Sequence, residues 1–302
     1  PVRLTPFKVF GLPRFMHFLW ATSWIFIKIG LNDIPPIIFA GLRYFLAFLV
    51  LLAVLLFSDR KREIRNLPKK MWGQLIILGL FFYAGTQGTM FVALAYLPAV
   101  TVNLLWSFSS VVVAFLGIVW LSERPTLFQW SGIGLAIIGA FIYFYPVTIP
   151  QAQVIGVIVS VVGVLTNAIS SIMGRSINRS EKYPSLIVTV VSMGAGSIAL
   201  LATSLFIEDI PAMSVKSWLI IIWLAIVNTA LAFTLWNHTL RTLTAMESSI
   251  INGTMLIWIP IFAILFFGES MTGKEVIGLI AAGIGTLIVQ LRRISKNATV
   301  EA

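Results

Sequence analysis

Hydrophobic residues run along this chain in long blocks, interrupted by short clusters of charge, proline and glycine. A helix that crosses a bilayer needs about 20 mostly apolar residues. The interruptions delimit ten such blocks, at 14–31, 35–57, 71–94, 98–121, 126–145, 153–174, 184–206, 216–238, 244–267 and 273–291. The runs are too long for strands and lack period-two alternation, so helices are predicted throughout. Pro35, Pro98, Pro125 and Pro184 stand at block starts, where a helix tolerates proline. Connections are short and leave no room for a soluble domain. The pattern predicts an all-α membrane protein with ten transmembrane helices.

Composition supports a bilayer environment. Of 302 residues, 59% are hydrophobic and 11% charged, against roughly 25% charged in a soluble globule. A net charge of +10 would suggest nucleic acid in a soluble protein, but here the placement of the basic residues matters more. With the N-terminus inside and sides alternating, the inner set is Arg3, Lys8, Arg14, Arg60, Lys61, Arg62, Arg65, Lys69, Lys70, Arg124, Arg175, Arg179, Lys182, Arg241, Arg292, Arg293 and Lys296. Only Lys216 and Lys274 fall outside, while Lys28 and Arg43 lie within spans. This asymmetry predicts a multi-pass protein of the inner (plasma) membrane with both termini cytoplasmic. The first block follows basic residues as a signal peptide would, but no small-residue cleavage site precedes Lys28, and it reads as a retained helix. The chain has no cysteine, hence no disulfide and no thiolate chemistry.

Sliding the sequence on itself by 146 residues aligns Leu97–Ile142 with Leu243–Ile288, with ten of 46 positions identical. Each half ends in two helices joined by a Glu-x-x-Thr turn, Glu123 to Thr126 and Glu269 to Thr272. Thr126 with Gln129, and Thr272 with Glu275, have capping-box spacing. The small residues Gly132/Ala136/Gly139 and Gly278/Ala282/Gly285 follow, and would let helices approach closely. Because five spans per half is odd, the second half enters the membrane from the opposite side. The expected architecture is two inverted five-helix repeats (5+5), residues 1–147 and 148–302, a construction common among secondary transporters.

These doubled helix–turn–helix units resemble the drug/metabolite transporter (DMT) superfamily, specifically its EamA-type ten-helix exporters, over nearly the whole chain. Further carriers of the resemblance are Trp20-Ala-Thr-Ser-Trp24, Ala40-Gly-Leu-Arg43, and Trp236-Asn-His-Thr-Leu-Arg241 followed by Leu243-Thr-Ala245. The family's proline nine residues before the turn glutamate is present as Pro260, whereas its first-half equivalent is Ala114. The resemblance implies a central cavity and export of amino acids or other small metabolites. Fold alone does not choose the solute.

Candidate solute contacts come from polar and aromatic residues inside apolar helices, which should face other helices or a water-filled path rather than lipid. His17, Trp20, Trp24 and Lys28 share one face of the first helix. Tyr83 and Gln87 are four apart on the third, and Asn103, Trp106 and Ser110 form a stripe on the fourth. Asn167 marks the sixth helix, Asn228 and Trp236 the eighth, and Asn252 and Trp258 the ninth. Amides can orient ammonium or carboxylate groups without titrating, and Trp and Tyr accept apolar groups or cations. The competing reading for each amide is a helix–helix hydrogen bond. Arg43, about eight residues into the second helix, is expected to be structural, with Asp33 its nearest carboxylate in sequence. Glu247 is expected to stabilise a helix start. With His17 and His238 it also supplies the candidate gating or proton-linked groups.

An enzyme is not expected. Two histidines, no cysteine and no clustered carboxylates supply neither a metal set nor a spaced acid–base pair, and no cofactor is implied. No phosphate-binding glycine motif is present, so ATP is not the direct energy source. The expectation is a secondary transporter exporting small metabolites, neutral or aromatic amino acids foremost, by alternating access. A multidrug or organic-cation exporter of the same fold is the alternative. Expected partners are a small-molecule solute and the lipid bilayer, with no nucleic acid, and the chain is expected to act as a monomer.

Overall fold

The computed structural model describes residues 12–58, 63–64, 66–121, 126–146, 150–179, 183–210, 212–232 and 254–298. All regular structure among them is helical. In chain order α1 is Leu12–Gly30, α2 Pro36–Leu56, α3 Lys69–Tyr96, and α4 spans 99–121 with a break at Phe108. α5 is Leu127–Phe144, α6 Gln151–Arg179, α7 Ser185–Ile207, α8 Val215–Leu231, α9 Met255–Phe267 and α10 Gly273–Ala298. Six of these helices, α2 to α7, are long and apolar enough to cross a membrane, and shorter apolar stretches lie in α1, α8 and α9. Large apolar side chains such as Val54, Ile138, Phe141, Ile158, Leu205 and Leu265 are exposed. A soluble protein avoids so much exposed apolar surface; a bilayer solvates it.

The local signals act as their chemistry requires. Pro35, Pro98 and Pro184 are the N-caps of α2, α4 and α7. Thr126 and Gln129 form a complete capping box at the start of α5. At α10 the Thr272 amide donates to Glu275 Oε2 at 2.6 Å, and the Glu275 amide returns to Thr272 Oγ1 at 3.4 Å.

The chain packs as two compact units, each drawing on both halves of the sequence. One comprises residues 1–25, 97–155 and 238–302; the other comprises 26–96 and 156–237. In the first, α5 lies against α10 along the two small-residue stripes. A Cβ on Gly278 would stand 2.6 Å from the Gly139 carbonyl, and one on Gly132 would stand 2.8 Å from that of Gly285. Both glycines therefore exist to admit a neighbouring backbone. Val111, Ile133, Ala136 and Val289 form the adjoining buried cluster, with Phe108 and Ala114 packed on it.

In the second unit α2 and α7 are central. Gly41 of α2 meets Leu201, and Gly194 of α7 meets Phe48. α3 packs on α7, where Gly79 faces the Ser192 backbone. Helices α3 and α8 each contain a π-helical stretch, Leu80–Gln87 and Ile226–Leu231. The two stretches begin 146 residues apart, the offset of the sequence repeat. In each, a threonine hydroxyl reaches back five residues to a carbonyl: Thr86 to Phe81 at 2.9 Å, and Thr229 to Leu224 at 2.8 Å. The wide turn leaves backbone groups imperfectly paired, and the hydroxyls satisfy them.

A carboxylate closes one end of each unit. Glu208, just past α7, accepts from the amides of Ile37 and Ile38 in the first turn of α2, at 2.9 and 2.7 Å. Glu269, just past α9, accepts from Ala99 and Val100 in the first turn of α4, at 2.9 and 3.4 Å. Neither helix start has a side-chain cap from its proline N-cap, so a distant glutamate supplies what a local Ser or Asp would. Gly268, left-handed at φ 63°, stops α9 and turns the chain so that Glu269 follows.

Candidate functional site

In the second unit the polar residues of α2, α3 and α8 meet inside otherwise apolar packing. The Tyr44 hydroxyl donates to Gln87 Oε1 at 2.8 Å, and the Tyr44 ring lies 5.4 Å from that of Tyr83. Tyr83 is buried and Gln87 half-buried. With its oxygen engaged, Gln87 retains its amide N–H groups as donors. Arg43, one residue before Tyr44, donates from Nε to Thr229 Oγ1 at 3.0 Å. Its Cζ lies 5.1 Å from the Tyr44 ring centroid and 5.9 Å from that of Phe91. Asn228, fully buried, precedes Thr229 in the π-helical stretch of α8.

Asp33, the carboxylate nearest to Arg43 in sequence, forms no ion pair with it. Asp33 is exposed on the α1–α2 connection, whereas the guanidinium is 4% exposed and turned toward α8. A long side chain travels farther than sequence proximity suggests, and it followed the hydroxyl on α8. Tyr44, which joins Gln87 to this cluster, lies in an apolar run where an aromatic reads as core. Its position one turn-neighbour from Arg43 is the only sequence signal that singles it out.

In the first unit Asn103 donates from Nδ2 to the Met255 carbonyl at 3.3 Å, tying α4 to α9. That bond fits the helix-joining reading of Asn103. Trp258 stacks on Phe262 at 5.8 Å, and Phe18 meets Trp258 edge-on at 5.5 Å. Trp106 is half-buried, with its indole Nε1 buried and without a hydrogen-bond partner. Trp24 is buried and Trp20 half-buried. Asn167 on α6 is half-buried, and its carbonyl accepts from Ser170. His17 lies in α1 with its side chain outside the described residues, and Trp236, His238, Glu247 and Asn252 lie wholly outside them. Among the described residues no group of His, Asp or Glu could hold a metal ion.

The EamA-like transporter family profile matches the chain twice, over residues 15–145 and 154–291. The chain belongs to that family, and thereby to the drug/metabolite transporter superfamily; it is a membrane transporter, not an enzyme. It is 23% identical over 282 residues to "Uncharacterized transporter YoaV" of Bacillus subtilis, covering 88% of this chain and 91% of the relative. It is 25% identical over 278 residues to a "Probable amino-acid metabolite efflux pump" of Salmonella typhimurium, covering 88% and 90%. An "S-adenosylmethionine/S-adenosylhomocysteine transporter" of Chlamydia muridarum is 24% identical over 268 residues, covering 84% and 82%. A solved crystal structure matches with a TM-score of 0.66 at 15% identity, covering 93% of this chain and 96% of that one, a likeness of fold alone.

Proposed function

We propose that this protein is a ten-span secondary transporter, built as two inverted five-helix repeats in the inner membrane, that exports neutral and aromatic amino acids by alternating access. The observation that carries the reading is the Tyr44–Gln87–Tyr83 cluster, with Arg43 beside it and Asn228 buried in α8, in helices otherwise built to meet lipid and each other. Buried polar groups in a membrane protein are costly and mark solute paths. The π-helical stretches at the repeat offset support the inverted repeat, and relatives named as amino-acid metabolite efflux pumps support the solute class.

In this reading Trp20, Trp24, Trp106, Trp236 and Trp258 supply apolar and cation-attracting walls. Tyr83, Gln87, Asn103, Asn167, Asn228 and Asn252 orient the solute's polar ends. His17, His238 and Glu247 are the groups through which a proton would couple. Export of organic cations is the weaker reading, because a buried guanidinium beside the amide cluster repels a cation.

Uptake of labelled threonine, phenylalanine and tryptophan into proteoliposomes, with and without a pH gradient, tests this function. Saturable uptake that unlabelled solute competes away is expected. A variant altered together at Gln87, Asn103 and Asn252 that transports normally would sink the site assignment.

A further inference from the structure

The Arg43 guanidinium carries a full charge into a membrane helix and meets no counter-charge among the described residues. It stands roughly 10 Å along α2 from the Pro36 end, by helical rise, and is 96% buried by the complement of its 4% exposure. Nε has Thr229, but Nη1 is buried with no hydrogen-bond partner among the described residues. Asp33 is exposed on its loop, and both oxygens of Glu208 hold the first turn of α2. No acidic residue lies within α2, α3, α7 or α8. The Tyr44 and Phe91 rings offer cation–π attraction. Burying an unpaired ion costs more than such contacts return. A buried donor kept unpaired in a native protein calls for an explanation.

We infer that Arg43 is the anchor for the carboxylate of the transported solute, with Nη1 as donor. The inference rests on the small-metabolite carrier reading above and deepens it, since it requires the solute class to carry a carboxylate. Nη1 is closed off in the state described here, so the carboxylate reaches it in another state of the transport cycle. Binding then supplies the counter-charge that the helices lack. The apolar rings of Tyr44, Tyr83 and Phe91 lower the local dielectric and strengthen that pairing.

The test compares phenylalanine with phenylalaninamide, which keeps the side chain and ammonium and lacks the carboxylate, on wild type, R43K and R43Q in proteoliposomes. Wild type is expected to prefer the acid by roughly 10- to 100-fold, the range spanned by hydrogen bonds to a charged group. R43Q loses the preference, and R43K, which keeps the charge, retains a reduced one. In detergent, saturating phenylalanine raises the Tm of wild type and leaves that of R43Q unmoved. R43Q alone is as stable as wild type or more so, whereas a purely structural arginine would leave it less stable. R43Q that still prefers the acid overturns the inference, and so does a wild type that treats acid and amide alike, a result that stands even if R43Q fails to fold. If wild type takes up neither probe, the amino-acid reading fails instead. The comparison then passes to 3-phenylpropionate and 3-phenylpropanamide, which lack the amine, and no preference for the acid in that pair overturns the carboxylate anchor.

Discussion

At Gly139 a Cβ would stand 2.7 Å from the Gly278 carbonyl, and backbone cannot move aside as a flexible side chain can. Gly139→Val is therefore expected to force α5 and α10 apart and to cost about 1–3 kcal/mol or more, as overpacking does. It should be read as a lowered thermal midpoint in detergent. Gly134, two residues beyond Gly132 on the same helix, has nothing within 4 Å of its Cβ direction. Gly134→Ala should leave the midpoint unchanged or slightly raised, since alanine is the better helix former. Of these two glycines, only Gly132 needs its missing side chain. Arg43 and Gly134 share this lesson, because what a side chain meets depends on the neighbouring helix, and a single sequence does not name that neighbour.

Among the elements, α2 and α4 begin at prolines that cannot cap them, and each first turn is held by a glutamate about 170 residues away. Glu208→Gln and Glu269→Gln each replace one charged acceptor oxygen by an amide NH2 group, which donates and cannot accept. Each should cost about 1–2 kcal/mol, the upper range for losing an N-cap. A thermal midpoint equal to wild type in either variant would mean that water takes the carboxylate's place.

The helix starts at Pro35, Pro98 and Pro184, both capping boxes and the small-residue stripes were legible in the sequence, because each is a local pattern with its partners within a few residues; Pro125, the end of the eighth block and the start of the ninth lie outside the described residues. The long-range glutamates were not. Glu269 reads as a turn residue, and nothing near it reports the amides of Ala99 and Val100. The π-helical stretches were equally hidden, since a span apolar on every side carries no periodicity from which a widened turn could be read. Of the candidate site, Tyr83, Gln87 and Asn228 stood out as polar or phenolic groups in apolar helices, whereas the Tyr44 bridge between them did not.

For the molecule as a whole, the asymmetry of Lys and Arg predicts an orientation that chemistry can test directly. The chain lacks cysteine, so an introduced one is the only thiol. Lys216 and Lys70 are both exposed. In intact cells, Lys216→Cys is expected to react with a membrane-impermeant maleimide, and Lys70→Cys only after permeabilisation. The opposite pattern would invert the topology and with it the direction assigned to transport.

The two glutamate clamps also bear on how the chain is made. Ribosomes add roughly 5–20 residues per second, so α2 enters the bilayer some 10–30 s before Glu208 exists to receive its first-turn amides. The first turn of α4 waits as long for Glu269. During that interval both helix starts must borrow their hydrogen bonds from water or lipid headgroups. The first half of the chain, released early, carries both helix starts and neither of the acceptors they were built to meet.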